Sequence, residues 1–324
     1  MIEWNDYFYQ KKTVDIQLLK DAKDGSRLFA LILMILGVGL FASLLGILAS
    51  AFFIEGDLFS RLESMASMSK DSDIHLMKYY QMVTQLAFFI LPALLFAFLM
   101  QKKIFTFFKL DHKPTLIMLG LGLMVLLLSN PFSEWLIYQN SKISLPESMA
   151  SLEQWMRDSE EKAAFATNIF LDMKDWKDYV VNILMIGVFA ALGEELLLRG
   201  SFQPLFIRMA KNAHIGIWIT AFIFSFIHFQ FYGFFARLFL GALLGYFFYY
   251  SKNLWIPIIA HFINNSLAVT YVFITKDPLY DTETLQMTGD ESNSLYAILS
   301  ISLVILGVYV FRYYGKKHRL NAIE

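Results

Sequence analysis

Three ionisable side chains stand together inside an apolar part of the sequence. The run YVVNILMIGVFAAL (179–192) continues without a turn signal into GEELLLRG, which contains Glu194, Glu195 and Arg199. A charge within a membrane-spanning helix costs about 2.5–3.5 kcal/mol on insertion scales, so such residues usually face the bundle interior and serve a function. Two adjacent carboxylates and an arginine at this place therefore indicate a buried polar site.

The spacing of these three residues predicts two different environments for the two carboxylates. Glu195 and Arg199 are four residues apart, so they share a helix face, and the acid lies N-terminal to the base. That order favours an internal ion pair. Glu194 points about 100° away from Glu195 around the helix. One carboxylate is therefore expected to be neutralised locally, while Glu194 stays free to act as a base.

Two further apolar runs carry polar side chains at helical spacing. FSFIH places His228 one turn after Phe224, on the same face. HFINN places His261 and Asn265 four residues apart, also on one face. A single histidine in such a helix is more often a hydrogen-bonded contact between helices than a catalytic group. Three such patterns, in order on three apolar runs, favour one shared site.

The composition limits the class of protein. The chain has 324 residues, of which 57% are hydrophobic and only 17% charged. A soluble domain of this length would carry more charge and fewer long apolar runs. The net charge of −1 argues against a nucleic-acid partner. The absence of cysteine excludes disulfides, thiolate metal ligands and thiol catalysis.

Eight apolar runs predict an all-α, polytopic membrane protein with about eight transmembrane helices in one bundle. A helix needs about 20 residues to cross the ~30 Å hydrocarbon core. We expect a single transmembrane domain over residues 1–324, and place the boundary between the fifth and sixth runs near Gly233. The eight runs are 28–54, 79–101, 115–133, 179–198, 215–236, 238–251, 254–275 and 294–311.

The distribution of basic residues predicts the orientation. Lys and Arg gather in the connections 102–113 and 208–211, at Lys252 and after residue 311. Cytoplasmic loops carry such an excess. We therefore expect an integral protein of a bacterial cytoplasmic membrane, with the lipid bilayer around it and both termini inside.

One long polar segment, 134–178, separates the third and fourth runs. It includes LPESMASLEQWMRDSEEKAAFATNIFLDM, which predicts one or two amphipathic helices at the membrane surface. Such an extramembrane segment is either a solvated cap over the bundle or a gate or docking surface for a substrate. Both interpretations stay open at this point.

The ordered set EELLLR, FSFIH and HFINN resembles the CPBP family of intramembrane proteases. This family includes the Ras-converting CAAX proteases and bacteriocin-processing or immunity-associated (Abi-type) proteins. The resemblance covers the motif-bearing part, 179–275; the first half of the chain is similar only in being a run of spanning helices. It implies an eight-helix fold and a glutamic endopeptidase, with 179–275 as the catalytic core and a membrane-associated or lipidated protein or peptide as substrate.

The resemblance also implies a role for each matching residue. Hydrolysis of an amide needs an activated water, a proton donor and stabilisation of the oxyanion. In the family's pattern Glu194 and His228 hold the water, with Glu194 as general base, while His261 and Asn265 donate to the oxyanion. The neighbouring ion pair would orient the base. This mechanism needs no cofactor.

The same side chains permit a zinc-dependent alternative. Glu194, His228 and His261 would give a two-histidine, one-carboxylate site with an open position for water. The sequence lacks the HExxH helix that would make zinc specific, and we favour the metal-free mechanism. The chain also has no GxSG motif within an apolar run and no GxGD motif.

Two other functions compete with an enzyme. A non-catalytic bacteriocin-immunity or scaffold protein could keep the fold, but it could also lose Glu194 or His228 freely. A transporter or channel lined by polar residues would be expected to show internal repeats, and the sequence shows none.

The depth of the motifs presents a difficulty for one shared site. If the fourth run ends near Leu198 and the fifth begins at Ile215, His228 lies about 20 Å further from the inner surface than Glu194. The two can meet only if a helix is broken, tilted or re-entrant, if the fifth run begins earlier, or if residues 200–216 form an interfacial helix.

Overall fold

The computed structural model describes residues 17–52, 57, 59, 62–63, 74–277 and 293–321, with side chains except at 293 and 318–321. The described residues are mostly helical and include no β-strand. The main helices are α1 (Asp24–Ser50), α2 (Ile74–Met100), α3 (Leu116–Ser141), α4 (Ala150–Leu171), α5 (Trp176–Ala210), α6 (Ala213–Phe226), α7 (Phe234–Ser251), α8 (Trp255–Thr275) and α9 (Asn293–Asn321).

The predicted all-α membrane architecture is confirmed. Seven of the described helices are long and apolar enough to cross a bilayer: α1, α2, α3, α5, α7, α8 and α9, the last over residues 294–317. The eighth apolar helix, α6, has 14 residues, so it extends about 21 Å and is short of a full crossing. The predicted boundary near Gly233 is correct, since α7 begins at Phe234.

The basic connections lie at one end of the bundle. Arg208, after α5, forms an ion pair of 2.9 Å with Asp24 at the start of α1. Asn253, between α7 and α8, donates a hydrogen bond of 2.8 Å to the carbonyl of His112. These contacts join three connections that the charge pattern places on the cytoplasmic side.

The predicted end of the fourth run near Leu198 was wrong, because α5 continues to Ala210. The polar residues after Leu198 are buried rather than exposed at a membrane surface. Arg199 donates to the carbonyl of Gly241 at 3.0 Å and Gln203 donates to the carbonyl of Gly245 at 3.1 Å. Polar side chains that bond to a neighbouring helix in this way stabilise helix association in a membrane.

Glycines let α5, α6 and α7 approach closely enough for those bonds. A Cβ at Gly245 would lie 2.8 Å from Gln203 Oε1, and one at Gly216 would lie 2.5 Å from the backbone nitrogen of Ile207. Small residues at such crossings bring helix backbones together, where van der Waals contacts replace the hydrophobic driving force.

The amphipathic helix predicted within 134–178 is α4, and the segment also contains the end of α3 and the start of α5. Trp155 on α4 packs against Phe231, which follows α6, with 5.3 Å between ring centroids. Near the other end of α4, Asn182 of α5 donates to the carbonyl of Phe170. The helix thus lies across the bundle and contacts the connection that carries His228.

Candidate active site

Glu194 and Glu195 lie near the middle of α5, where the helix changes its winding. Wider, π-helical turns occupy Ile183–Phe189 and Glu195–Phe202. Such turns are frequent at functional sites. Four charged or titratable side chains here are almost completely buried; their exposed fractions are 5% for Glu194, 0% for Glu195 and Arg199, and 3% for His261.

Glu195 is the carboxylate that is neutralised. Its Oε1 accepts a 2.6 Å hydrogen bond from Arg199 Nη1 and lies 2.9 Å from His261 Nδ1. The guanidinium also stacks on the ring of Phe224, 4.8 Å from its centroid. The structure thus contains the ion pair expected from the spacing, and adds a histidine from α8 that the sequence did not assign to it.

His261 connects the two glutamates. Because a carboxylate accepts, the contact with Glu195 places a proton on Nδ1 of the imidazole. Nε2 therefore faces the second carboxylate, and it lies 3.8 Å from Glu194 Oε2. That separation is longer than a direct hydrogen bond, so Glu194 and His261 face each other across a short gap.

His228 lies in the turn after α6 and approaches the same carboxylate from another side. Its Nδ1 is 2.7 Å from the carbonyl oxygen of Phe224, to which it donates. Nε2 is left on the other edge of the ring, and the imidazole interacts electrostatically with both Glu194 and His261. The Phe224 ring meets both histidines edge-on, with centroid separations of 5.1 and 5.9 Å.

The length of α5 removes the difficulty over depth. Helices α5 and α6 form an antiparallel hairpin with its turn at Lys211 and Asn212. Glu194 lies 17 residues before Lys211 and His228 lies 16 residues after Asn212. At 1.5 Å per residue both sit about 24 Å from the turn. Neither a broken helix nor an interfacial segment is needed.

Asn265 is in place but occupied. Its side-chain nitrogen donates a 2.9 Å hydrogen bond to the carbonyl of Ile186, within a π-helical stretch of α5. Its side-chain oxygen accepts from Asn264 at 3.3 Å. An amide nitrogen has two N–H donors, so one of them is spent on holding α8 against α5.

A cavity of about 620 Å³ brings these groups together. Its volume lies within the range of ligand sites. Side chains of α2, α4, α5, α7 and α8 line it, and most of them are apolar. Of the predicted residues, Glu194, His228, His261 and Asn265 line the cavity, whereas Glu195 and Arg199 do not. The ion pair therefore supports the site from behind.

The sequence reasoning missed two polar residues of this cavity, Gln230 and Arg237. Gln230 lies two residues after His228, and Arg237 lies in the first turn of α7. The missed signal was the one that identified Arg199, because Arg237 is a charge within an otherwise apolar stretch.

The zinc alternative finds little geometric support. Among the described residues no group of three or more His, Cys, Asp or Glu side chains is arranged to hold a metal ion. Both histidines do present Nε2 with Nδ1 bonded to an oxygen, as metal ligands commonly do. The three proposed ligands are nevertheless not gathered around one point, so no step is derived through zinc.

Comparisons with known proteins agree with this site. Residues 176–267 match the family model of the Rce1-like type II CAAX prenyl endopeptidases. The uncharacterized protein YpbD of Bacillus subtilis (strain 168) is 31% identical over 91 residues, which are 27% of this chain and 43% of that protein. The match thus spans less than half of this curated relative. No solved structure matches the chain. Residues 176–267 include every predicted site residue, and through them this chain belongs to the Rce1-like family of CAAX-type membrane proteases.

Proposed function

We propose that the chain is an intramembrane endopeptidase that hydrolyses a peptide bond with a water molecule activated by Glu194 and His228. One observation carries this proposal. Of two adjacent buried glutamates, Glu195 is bonded to Arg199 and His261, whereas Glu194 lines the cavity and faces two histidines.

The proposed reaction begins with Glu194 as the general base. It takes a proton from the water while the water attacks the carbonyl carbon of the peptide bond, and it later gives that proton to the leaving amine. Nε2 of His228 accepts a hydrogen bond from the water and orients it. The His228 contact with the Phe224 carbonyl supports this role, because it places the proton on Nδ1.

The oxyanion is stabilised by His261, assisted by Asn265. Two buried carboxylates face one buried arginine, which leaves one uncompensated negative charge. An isolated charge is expensive to bury. We infer that His261 carries both protons, so that it balances this charge, donates through Nδ1 to Glu195 and donates through Nε2 into the cavity.

The proposed substrate is a protein or peptide held at the membrane, lipidated or with an apolar segment. The lining of the cavity supports this, because most of its side chains are apolar. The description of the family as prenyl endopeptidases points the same way.

The test compares the termini of membrane and secreted peptides from cells that express wild type or Glu194→Gln at matched levels. A terminus that disappears with Glu194→Gln identifies both the activity and its substrate. Glu161→Gln, an exposed glutamate on α4, serves as the control and should keep that terminus. Identical termini from wild type and Glu194→Gln, together with a phenotype on deletion of the gene, would instead favour an immunity or scaffold function.

A further inference from the structure

The turn that carries His228 is an unusual piece of backbone. Residues 227–233 connect α6 to α7 without helical structure. Phe229, directly after His228, has a φ of 52°, in the left-handed region. A non-glycine residue there is uncommon and strained, and persists only where its surroundings hold it. The position of His228 therefore depends on what holds this turn.

Arg237 holds the turn from α7. Its Nη1 donates a 3.0 Å hydrogen bond to Gln230 Oε1, and its Nη2 donates to the backbone carbonyl of the same residue. A Cβ at Gly233 would lie 2.5 Å from Nη1, so a glycine is needed for the guanidinium to pack on the turn. The planar fork of arginine suits two simultaneous hydrogen bonds, which a lysine could not make in the same way.

Two other contacts fix the far end of the turn. Tyr232 donates its backbone N–H to Glu160 Oε2 of α4 at 3.2 Å. Asn140 of α3 donates to the carbonyl of Phe231. Arg237 acts closer to the catalytic histidine, since Gln230 is two residues from His228 and both line the cavity.

We propose that Arg237, acting through Gln230, is a positioning residue that aims His228 Nε2 into the cavity. This inference rests on the proposed function, in which His228 orients the attacking water. A misplacement of about 1 Å in a catalytic group can cost about 100-fold in rate. Loss of the two bonds to Gln230 should therefore lower kcat and leave substrate binding nearly unchanged.

The kinetic test uses full-length wild type, Arg237→Gln and Arg237→Lys in nanodiscs, with a fluorogenic peptide that carries the cleavage site found from the missing terminus. For Arg237→Gln we expect kcat to fall about 100-fold and KM to change less than about twofold. Arg237→Lys should recover part of kcat, because one bond to Gln230 can form. Arg208→Gln, which removes a pair at the basic end of the bundle, is the control and should keep both constants.

A rise in KM with kcat unchanged would overturn the proposal, because it would make Arg237 a binding site for an anionic group of the substrate. Wild-type kcat in Arg237→Gln would overturn it as well.

A second readout does not depend on activity. Hydrogen–deuterium exchange of the backbone amides in 227–233 should become several-fold faster in Arg237→Gln, while Arg208→Gln stays at the wild-type rate. Unchanged exchange would contradict a positioning role. If wild type cleaves nothing and exchange still accelerates, Arg237 holds the turn and the proposed function is the part that fails.

Discussion

At the scale of single residues, two neighbouring glutamates of the same type have different tasks because of what surrounds each of them. Glu195 meets a guanidinium and an imidazole, both buried. Glu194, one position earlier, is turned toward the cavity. The 100° between successive residues of a helix is enough to separate a structural carboxylate from a chemical one.

Conservative changes at these two positions should therefore have opposite effects. Glu195→Gln leaves Arg199 buried without a charged partner, and breaking a buried pair in this way costs about 3–5 kcal/mol. We expect a clear fall in the Tm of the purified protein. Glu194→Gln removes the base but no ion pair, so its Tm should stay near that of wild type while hydrolysis is lost.

Thermal unfolding and peptide cleavage, measured on the same preparations, decide the matter. If Glu194→Gln unfolded early and Glu195→Gln kept both stability and activity, the two roles assigned here would be reversed.

At the scale of an element, α4 is connected to the site through Glu160. This carboxylate is half-buried against the turn that carries His228 and accepts the N–H of Tyr232. Burial raises the pKa of Glu160, and the contacts with Tyr232 and Arg237 offset this only in part. The helix thus contributes a titratable group next to the catalytic turn.

The raised pKa predicts how stability depends on pH. Between the ordinary pKa of a glutamate and the raised value, the folded protein binds more protons at Glu160 than the unfolded chain does. This contribution to stability is therefore complete at low pH and is lost as the pH rises through that window.

Melting curves from about pH 4 to about pH 8 should show this loss in wild type and a weaker pH dependence in Glu160→Gln, since an amide has no proton to lose. Glu161→Gln, its exposed neighbour on α4, should follow wild type. A Glu160→Gln curve parallel to wild type would remove Glu160 as the cause.

The cap and gate interpretations of α4 also differ in a measurable way. Ala163, Ala166, Thr167 and Phe170 of this helix line the cavity, so a substrate that enters from this side must displace it. Trp155 holds α4 to the turn through its contact with Phe231. We expect Trp155→Ala to loosen the cover.

The natural absence of cysteine allows a direct measurement. A single cysteine in place of Ala190, which lines the cavity, should react several-fold faster with a water-soluble maleimide when Trp155→Ala is present. Lys162→Ala, on the exposed face of α4, should leave the rate unchanged. Equal rates in all three proteins would favour a fixed cap.

At the scale of the whole molecule, the parts of the site that the sequence could predict are those that follow from one helix at a time. A charge in an apolar run and a spacing of four residues indicated Glu195 with Arg199 and His261 with Asn265. Contacts between distant helices were out of reach. The bond from His261 to Glu195 joins residues 66 positions apart. The burial of Gln203, which extends α5 past Leu198, depends on a carbonyl of α7.

The orientation of the bundle is the last property that the charge pattern predicts. The structure places the basic connections at one end, where Arg208 meets Asp24 and Asn253 meets His112. An excess of Lys and Arg marks the cytoplasmic side. We therefore expect this end, and both termini with it, to face the cytoplasm.

Single cysteines at two exposed lysines test this orientation on intact cells with a membrane-impermeant thiol reagent. Lys174, between α4 and α5, lies at the end opposite the basic connections, and Lys103 follows α2 at the basic end. The cysteine at 174 should be labelled directly, and the cysteine at 103 only after permeabilisation. Because a helix bundle cannot expose one connection on both sides of a bilayer, the reverse labelling would invert the whole topology, and α4 with its cover over the cavity would then face the cytoplasm.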